Sequence, residues 1–127
     1  MKRIFLLPRL AWIALVPCLL LLCSIREVPP AHAAQTPRRI EVTAKRFEYI
    51  PAEITVKKGE PVVLVLHSTD VAHGIKFADL GLKADIGTAG TSELPFTPDK
   101  VGTFVGHCSH FCGSGHGTMT LTMHVTE

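Results

Sequence analysis

Sustained helical periodicity is missing from this chain after residue 34, where no stretch repeats apolar residues every three or four positions. The sequence also lacks internal repeats and low-complexity tracts. These absences argue against a helical bundle, a repeat array and a long disordered region. The 127 residues are enough for one domain with a real core but not for two.

A long uninterrupted apolar run is lacking as well. Residues 10–22 are apolar, but Pro17 interrupts them, and the run is shorter than the roughly 20 residues of a membrane-spanning helix. A basic start precedes this run, and Ala31-His32-Ala33 follows it with the small residues of a signal-peptidase site. This order predicts a secretory signal peptide over residues 1–33 and a periplasmic or otherwise extracytoplasmic protein. An uncleaved membrane anchor and a lipid on Cys23 stay open as alternatives.

An excess of positive charge is absent once that segment is removed. It contains four of the 13 basic residues and one of the 11 acidic residues, which leaves nine basic against ten acidic side chains. There is no basic stripe, so nucleic acid is not an expected partner. A membrane is expected to be contacted only through the N-terminal segment, if that segment is not cleaved.

The rest of the chain has few cysteines and no tryptophan. The single tryptophan, Trp12, and two of the four cysteines, Cys18 and Cys23, lie in the N-terminal segment. Only Cys108 and Cys112 remain. Export would place both in an oxidising compartment, where a disulfide between them is one available interpretation.

Alternation of apolar and polar residues is what the chain does contain. It is clearest over residues 118–126, where Met119, Leu121, Met123 and Val125 share one face. Shorter segments predict further strands: residues 40–47, 53–57, 62–67, 74–77, 92–96 and 102–108. Residues 80–90 are expected to hold a short strand or one loose helical turn. Seven or eight short strands predict an all-β fold, an antiparallel β-sandwich with Greek-key connections over residues 34–127.

The side chains best suited to bind a metal are concentrated in one loop between the last two predicted strands. Cys108, Cys112, His116 and Met119 form the pattern Cys-x3-Cys-x3-His-x2-Met. Thiolate, imidazole and thioether together are a ligand set that suits copper. Another histidine, His73, lies upstream in an apolar neighbourhood, from which the fold can return it to this loop. A mononuclear copper site needs only one cysteine, so the second one argues for two metal ions.

This loop resembles a known copper site. The pattern Cys108-Ser109-x-x-Cys112-Gly113-x-x-His116-x-x-Met119 resembles the dinuclear CuA loop of cytochrome c oxidase subunit II and is similar to that of nitrous oxide reductase. The upstream Asp70-Val71-Ala72-His73 resembles the segment with the first histidine ligand of that family. The resemblance covers roughly residues 38–127. It implies a cupredoxin-like sandwich that transfers single electrons and is not itself an enzyme, either alone or as an accessory domain of an oxidase or reductase.

The resemblance also implies a complete ligand set for two copper ions. Its members are His73, Cys108, the backbone carbonyl of His110, Cys112, His116 and Met119. In the family the two cysteines bridge the metals, each histidine binds one metal, and the methionine and the carbonyl are weak ligands. Glutamate is common in the family where this chain has His110. Phe104, Phe111 and Leu121 are expected to keep water off the sulfurs.

The partner implied by the resemblance is a redox protein, such as a cytochrome c or a terminal oxidase or reductase. The oxidase subunit normally adds a pair of membrane helices and an aromatic stretch with tryptophan that receives electrons from cytochrome c. Residues 34–127 contain no tryptophan. We therefore expect a copper domain that is distinct from the oxidase subunit itself.

Three other hypotheses use the same loop. A copper carrier would bind Cu(I) and release it to an acceptor protein. A mononuclear cupredoxin would use one cysteine and leave the other idle. A thiol oxidoreductase would use Cys108 and Cys112, but the chain lacks the usual Cys-x-x-Cys spacing and a βαβ pattern.

Overall fold

Nine strands make up most of the described chain. The structure is a computed structural model that describes residues 35–127, so the predicted signal peptide lies outside the described residues. The strands are β1 (Arg38–Lys45), β2 (Glu48–Ile50), β3 (Glu53–Lys57), β4 (Val62–Ser68), β5 (His73–Phe77), β6 (Leu82–Ile86), β7 (Thr91–Phe96), β8 (Gly102–His107) and β9 (Thr120–Thr126). Two short 3-10 turns, Ala78–Leu80 and His116–Thr118, complete the set. Within these residues no helix is long and apolar enough to cross a membrane.

The strands form two sheets that enclose one apolar core. One sheet has the order β2-β1-β4-β7 and the other the order β3-β9-β8-β5-β6. In β9 the alternation places Leu121, Met123 and Val125 in the core, at 0–3% exposure. In β4 every residue of Val62–Leu66 is buried, as expected of a continuous apolar strand in the middle of a sandwich. The predicted all-β sandwich is thereby confirmed.

Three details differ from the prediction. There are nine strands within the described residues instead of seven or eight, because residues 48–50 form a short strand that pairs with the end of β1. Residues 78–86 hold both a 3-10 turn and a strand, where only one of these was expected. The sandwich is not purely antiparallel, because β1 pairs with β4 and β3 pairs with β9 in parallel. In both pairs a long connection lets the second strand return in the same direction.

The topology brings three segments to one end of the five-stranded sheet. β8 lies between β9 and β5 and runs antiparallel to both. The end of β8 therefore lies beside the beginning of β9, and the residues that follow β8 lie beside the beginning of β5. The loop after β8 and the histidine that opens β5 meet at this end.

Candidate metal centre

Backbone hydrogen bonds join the three segments at the candidate site. The N–H of Cys108 donates to the carbonyl of Met119 at 3.1 Å, which closes the base of the loop. The N–H of Ser109 donates to the carbonyl of Gly74 at 3.2 Å, which ties the loop to the start of β5. Donor atoms held by strand ends in this way keep fixed separations.

The two cysteines lie at the centre of the cluster. Their sulfurs are 3.8 Å apart and are not bonded to each other, and both side chains are buried. The Cys112 sulfur lies 3.8 Å from Met119 Sδ and 3.9 Å from His116 Nδ1. The Cys108 thiol donates to the carbonyl oxygen of His110 at 3.1 Å. That carbonyl thus points toward the Cys108 sulfur, while the His110 side chain is exposed.

His73 completes the cluster from β5. One ring nitrogen of His73 and the two cysteine sulfurs all lie within 4.8 Å of one another. The structure therefore brings together the predicted donors of both segments. His116 is at the edge of the group, since it is only partly buried and approaches Cys112 alone among the cysteines.

The His73 ring carries a buried atom that lacks a partner. The ring is fully buried, and its Nε2 lies 2.7 Å from Asp70 Oδ1. Its Nδ1 is also buried and has no hydrogen-bond partner. A buried polar atom without a partner costs about 1–3 kcal/mol. A metal ion bound by the His73 nitrogen and the two sulfurs would satisfy it, so the residues fit copper in both geometry and donor type.

Asp70 orients the His73 ring. Its carboxylate accepts hydrogen bonds from His73 Nε2 and from the backbone N–H groups of Arg46 (2.9 Å) and Val71 (2.7 Å). Burial by itself would raise the pKa of Asp70, but these hydrogen bonds outweigh burial and hold the pKa below its ordinary value. An ionised carboxylate fixes the proton on Nε2 and leaves the Nδ1 lone pair free for a metal.

Replacing Asp70 by asparagine is expected to weaken copper binding. Asparagine keeps the size of the side chain but removes the charge that fixes the His73 tautomer. Loss of such a partner typically lowers metal affinity about 10–100-fold. Competition with a Cu(I)-selective chelator measures the effect, and Asp99→Asn, at an exposed aspartate, removes the same charge as a control. Equal affinities of the two variants would contradict this role.

Burial also raises the pKa of two groups at the site, the thiol of Cys112 and the hydroxyl of Tyr49. Burial, and then the hydrogen bond and charge of Cys108, raise the pKa of the Cys112 thiol, although a backbone hydrogen bond and then the charge of Arg46 oppose the rise. Burial raises the pKa of Tyr49, and the two cysteines add to the effect. Tyr49 therefore remains a neutral donor, and its hydroxyl donates to the carbonyl of Gly74 next to His73. A metal that binds the cysteines has to displace their protons.

The turn between β1 and β2 supports the loop from outside, and the sequence did not predict this. Arg46 Nε donates to the carbonyl of Cys112 at 2.9 Å. The Phe47 ring packs so closely on the loop that a Cβ on Gly115 would lie 2.3 Å from Phe47 Cγ, and one on Gly113 2.9 Å from Phe47 Cε1. The glycines at these two positions were the only sequence signal of a close contact.

The apolar surroundings follow the prediction only in part. Leu121 is fully buried and Phe104 is partly buried against the core. Phe111 is 77% exposed, so the prediction that it keeps water off the sulfurs is wrong. Its ring faces outward from the loop and lies 5.7 Å, centroid to centroid, from the ring of His116.

The chain is similar in sequence to an oxidase subunit and to a reductase. It is 31% identical to cytochrome c oxidase subunit 2 of Lycodon semicarinatus over 91 residues, which are 72% of this chain and 36% of that protein. It is 33% identical to nitrous-oxide reductase of Pseudomonas fluorescens over 93 residues, which are 70% of this chain and 15% of that protein. The chain therefore spans about a third or less of the length of these relatives.

Solved structures give the same fold. The periplasmic domain of subunit II of cytochrome oxidase from Bradyrhizobium japonicum superposes with a TM-score of 0.64 at 22% identity, over 71% of this chain and 84% of that one. The metal binding domain of the Cu(I) exporting P-type ATPase CopA of Streptococcus pneumoniae gives 0.56 at 26% identity, over 70% and 85%. Auracyanin A, a blue copper protein of Chloroflexus aurantiacus, gives 0.60 at 16% identity, over 72% and 100%. The family model of the cupredoxin-like domain matches residues 12–121, and the chain belongs to this family.

Proposed function

We propose that this protein holds two copper ions in a dinuclear CuA-type centre and transfers single electrons through it. The observation that carries the proposal is the pair of free sulfurs 3.8 Å apart, each of which has further donors of its own. Cys112 lies beside His116 and Met119, whereas Cys108 lies beside the His110 carbonyl. Two sulfurs with separate additional donors support two metal positions better than one.

The chain would contribute rigidity as well as ligands. Bound copper would supply a reversible one-electron couple. Strand ends and backbone hydrogen bonds fix Cys108, Met119 and the His73 segment, so these donors have little freedom to move when the charge of the site changes. Burial of both cysteines excludes water from the sulfurs.

Copper content and electron paramagnetic resonance test this function. The protein is reduced, loaded with copper and oxidised. Two copper ions per chain with a seven-line hyperfine pattern are expected, because one unpaired electron is then shared by two equivalent copper nuclei. One copper ion with a four-line pattern would contradict the dinuclear centre and favour a mononuclear cupredoxin.

Copper carriage is a second candidate function, favoured by the 26% identity to the metal binding domain of a Cu(I) exporting ATPase. A carrier releases Cu(I) to an acceptor, whereas an electron-transfer centre keeps its copper through repeated redox cycles. The two functions are separated by measuring the copper that remains in the protein after such cycles in the presence of a Cu(I) chelator. Loss of the copper would favour the carrier.

We also propose an extracytoplasmic location, with cleavage after Ala33 and a cytochrome c or a terminal oxidase or reductase as the redox partner. The order of basic, apolar and small residues at the N-terminus supports export. Expression in a bacterium with a periplasm, followed by mass measurement of the periplasmic product, is expected to give a chain that begins at residue 34. A full-length chain confined to the membrane fraction would favour the uncleaved anchor.

A further inference from the structure

An open cleft lies directly beside the candidate copper loop. It has a volume of about 230 Å³, and its walls include Arg46, Val71, Ala72, His110 and Phe111. Cys112 and Gly113 also line it. The cleft therefore joins the β1–β2 turn, the segment before His73 and the copper loop in one surface.

The apolar part of this surface is unusually exposed. Phe111 has the highest exposure of the large apolar side chains in residues 35–127, at 77%, against 44–47% for Ile50, Val101 and Val105. Burial of an exposed phenyl ring by a partner is favourable, because it removes apolar surface from water. Because the Phe111 and His116 rings are 5.7 Å apart, a partner that covers Phe111 also comes close to a predicted copper ligand.

The charged part of the surface is the guanidinium of Arg46. Within the described residues no carboxylate pairs with it, whereas Arg38 and Arg39 pair with Glu60 and Glu93. Its Nε donates a hydrogen bond to the Cys112 carbonyl. Neither Nη nitrogen makes a hydrogen bond within residues 35–127. The guanidinium is thus held in place by one N–H and offers the others to a ligand. Its planar geometry matches a carboxylate.

We propose that this cleft, which we call the Arg46 cleft, is the docking site for a redox protein that presents a carboxylate within an apolar surface. Arg46 binds the carboxylate, and the apolar surface covers Phe111. Because Arg46 also donates to the Cys112 carbonyl, hydrogen bonds join the bound carboxylate to the backbone of a predicted bridging ligand. This inference rests on the proposed electron-transfer function.

Oxidation of the copper-loaded, reduced protein by two small complexes of opposite charge tests the role of Arg46. Each turnover moves one electron from the copper centre to hexacyanoferrate(III), an anion, or to tris(phenanthroline)cobalt(III), a cation. Arg46→Gln is expected to lower the second-order rate constant with the anion about three- to tenfold, since a charge close to the contact is lost. The rate constant with the cation is not expected to fall. Arg39→Gln is the control, because it removes an exposed arginine that is paired with Glu93.

The outcomes separate the inference from the function on which it rests. Equal rate changes in the Arg46 and Arg39 variants would overturn the docking site while electron transfer stands. Failure of the unaltered protein to retain copper or to react with either oxidant would instead overturn the proposed function. With an acidic c-type cytochrome as oxidant, Phe111→Ala is expected to lower the rate constant, while the rate with hexacyanoferrate(III) stays nearly unchanged. No change with the cytochrome would remove Phe111 from the docking site.

Nuclear magnetic resonance of the copper-free, reduced protein gives a readout that needs neither copper nor a variant. The paramagnetic anion hexacyanochromate(III) is expected to broaden the amide signals of Arg46, Ala72, His110 and Phe111 before those of β3 and β7. Uniform broadening, or broadening centred on other lysines and arginines, would overturn the Arg46 cleft as an anion site.

Discussion

Replacing Cys112 by serine is expected to reduce the copper content of the loaded protein from two ions to at most one and to abolish the shared-electron spectrum. The Cys112 sulfur lies within 3.8–3.9 Å of Cys108 Sγ, His116 Nδ1 and Met119 Sδ, so it approaches more of the predicted donors than Cys108 does. A serine hydroxyl occupies nearly the same space, but it stays protonated and does not replace a soft thiolate as a copper ligand. Copper analysis and electron paramagnetic resonance of the variant measure the change.

The matched control for this variant is Ser114→Ala, at an exposed position of the same loop. It is expected to keep both copper ions and the spectrum of the unaltered protein. A Cys112→Ser variant that kept its copper content and most of its charge-transfer colour would show that Cys108 alone carries the metal. The dinuclear proposal would then give way to the mononuclear cupredoxin.

The sequence predicted best the strands in which apolar and polar residues alternate within a single segment. In β9 the side chains of Leu121, Met123 and Val125 alternate with polar ones, and all three are buried, because successive residues of a strand point to opposite faces. The short β2 carries too few residues for such a pattern and exists through its pairing with β1. The parallel pairing of β3 with β9 joins segments far apart in sequence, and alternation contains no information on which strands are neighbours.

The same distinction applies to the candidate site. The loop donors follow one another within a few residues, so their spacing predicted a cluster before any fold was known. The support that Arg46 and Phe47 give to the loop depends on a contact across more than sixty residues and has no motif of its own. Phe111 was expected to keep water off the sulfurs, but it is exposed, since an apolar residue at the tip of a loop has no strand to turn it inward.

Replacing Gly115 by alanine is expected to displace the copper loop. A Cβ at this position would lie 2.3 Å from Phe47 Cγ and 2.8 Å from Phe47 Cβ, so either the ring or the loop has to move. The φ of Gly115 is −90°, which any residue adopts, so the effect is steric and not a matter of backbone preference. Overpacking of this kind costs about 1–3 kcal/mol. Because His116 is the next residue, we expect Cu(I) affinity to fall together with stability.

Gly117→Ala provides the control, since a Cβ there meets no atom within 4 Å, and it lies in the 3-10 turn that follows Gly115. Denaturant unfolding of the copper-free protein and chelator competition with Cu(I) are measured on both variants. Equal values for the two would contradict a role for the Phe47 contact. Adding Phe47→Ala to Gly115→Ala removes the clashing ring, so the double variant is expected to be more stable than the sum of the single effects predicts. Such a coupling would identify the β1–β2 turn as the element that fixes the position of His116 in the loop.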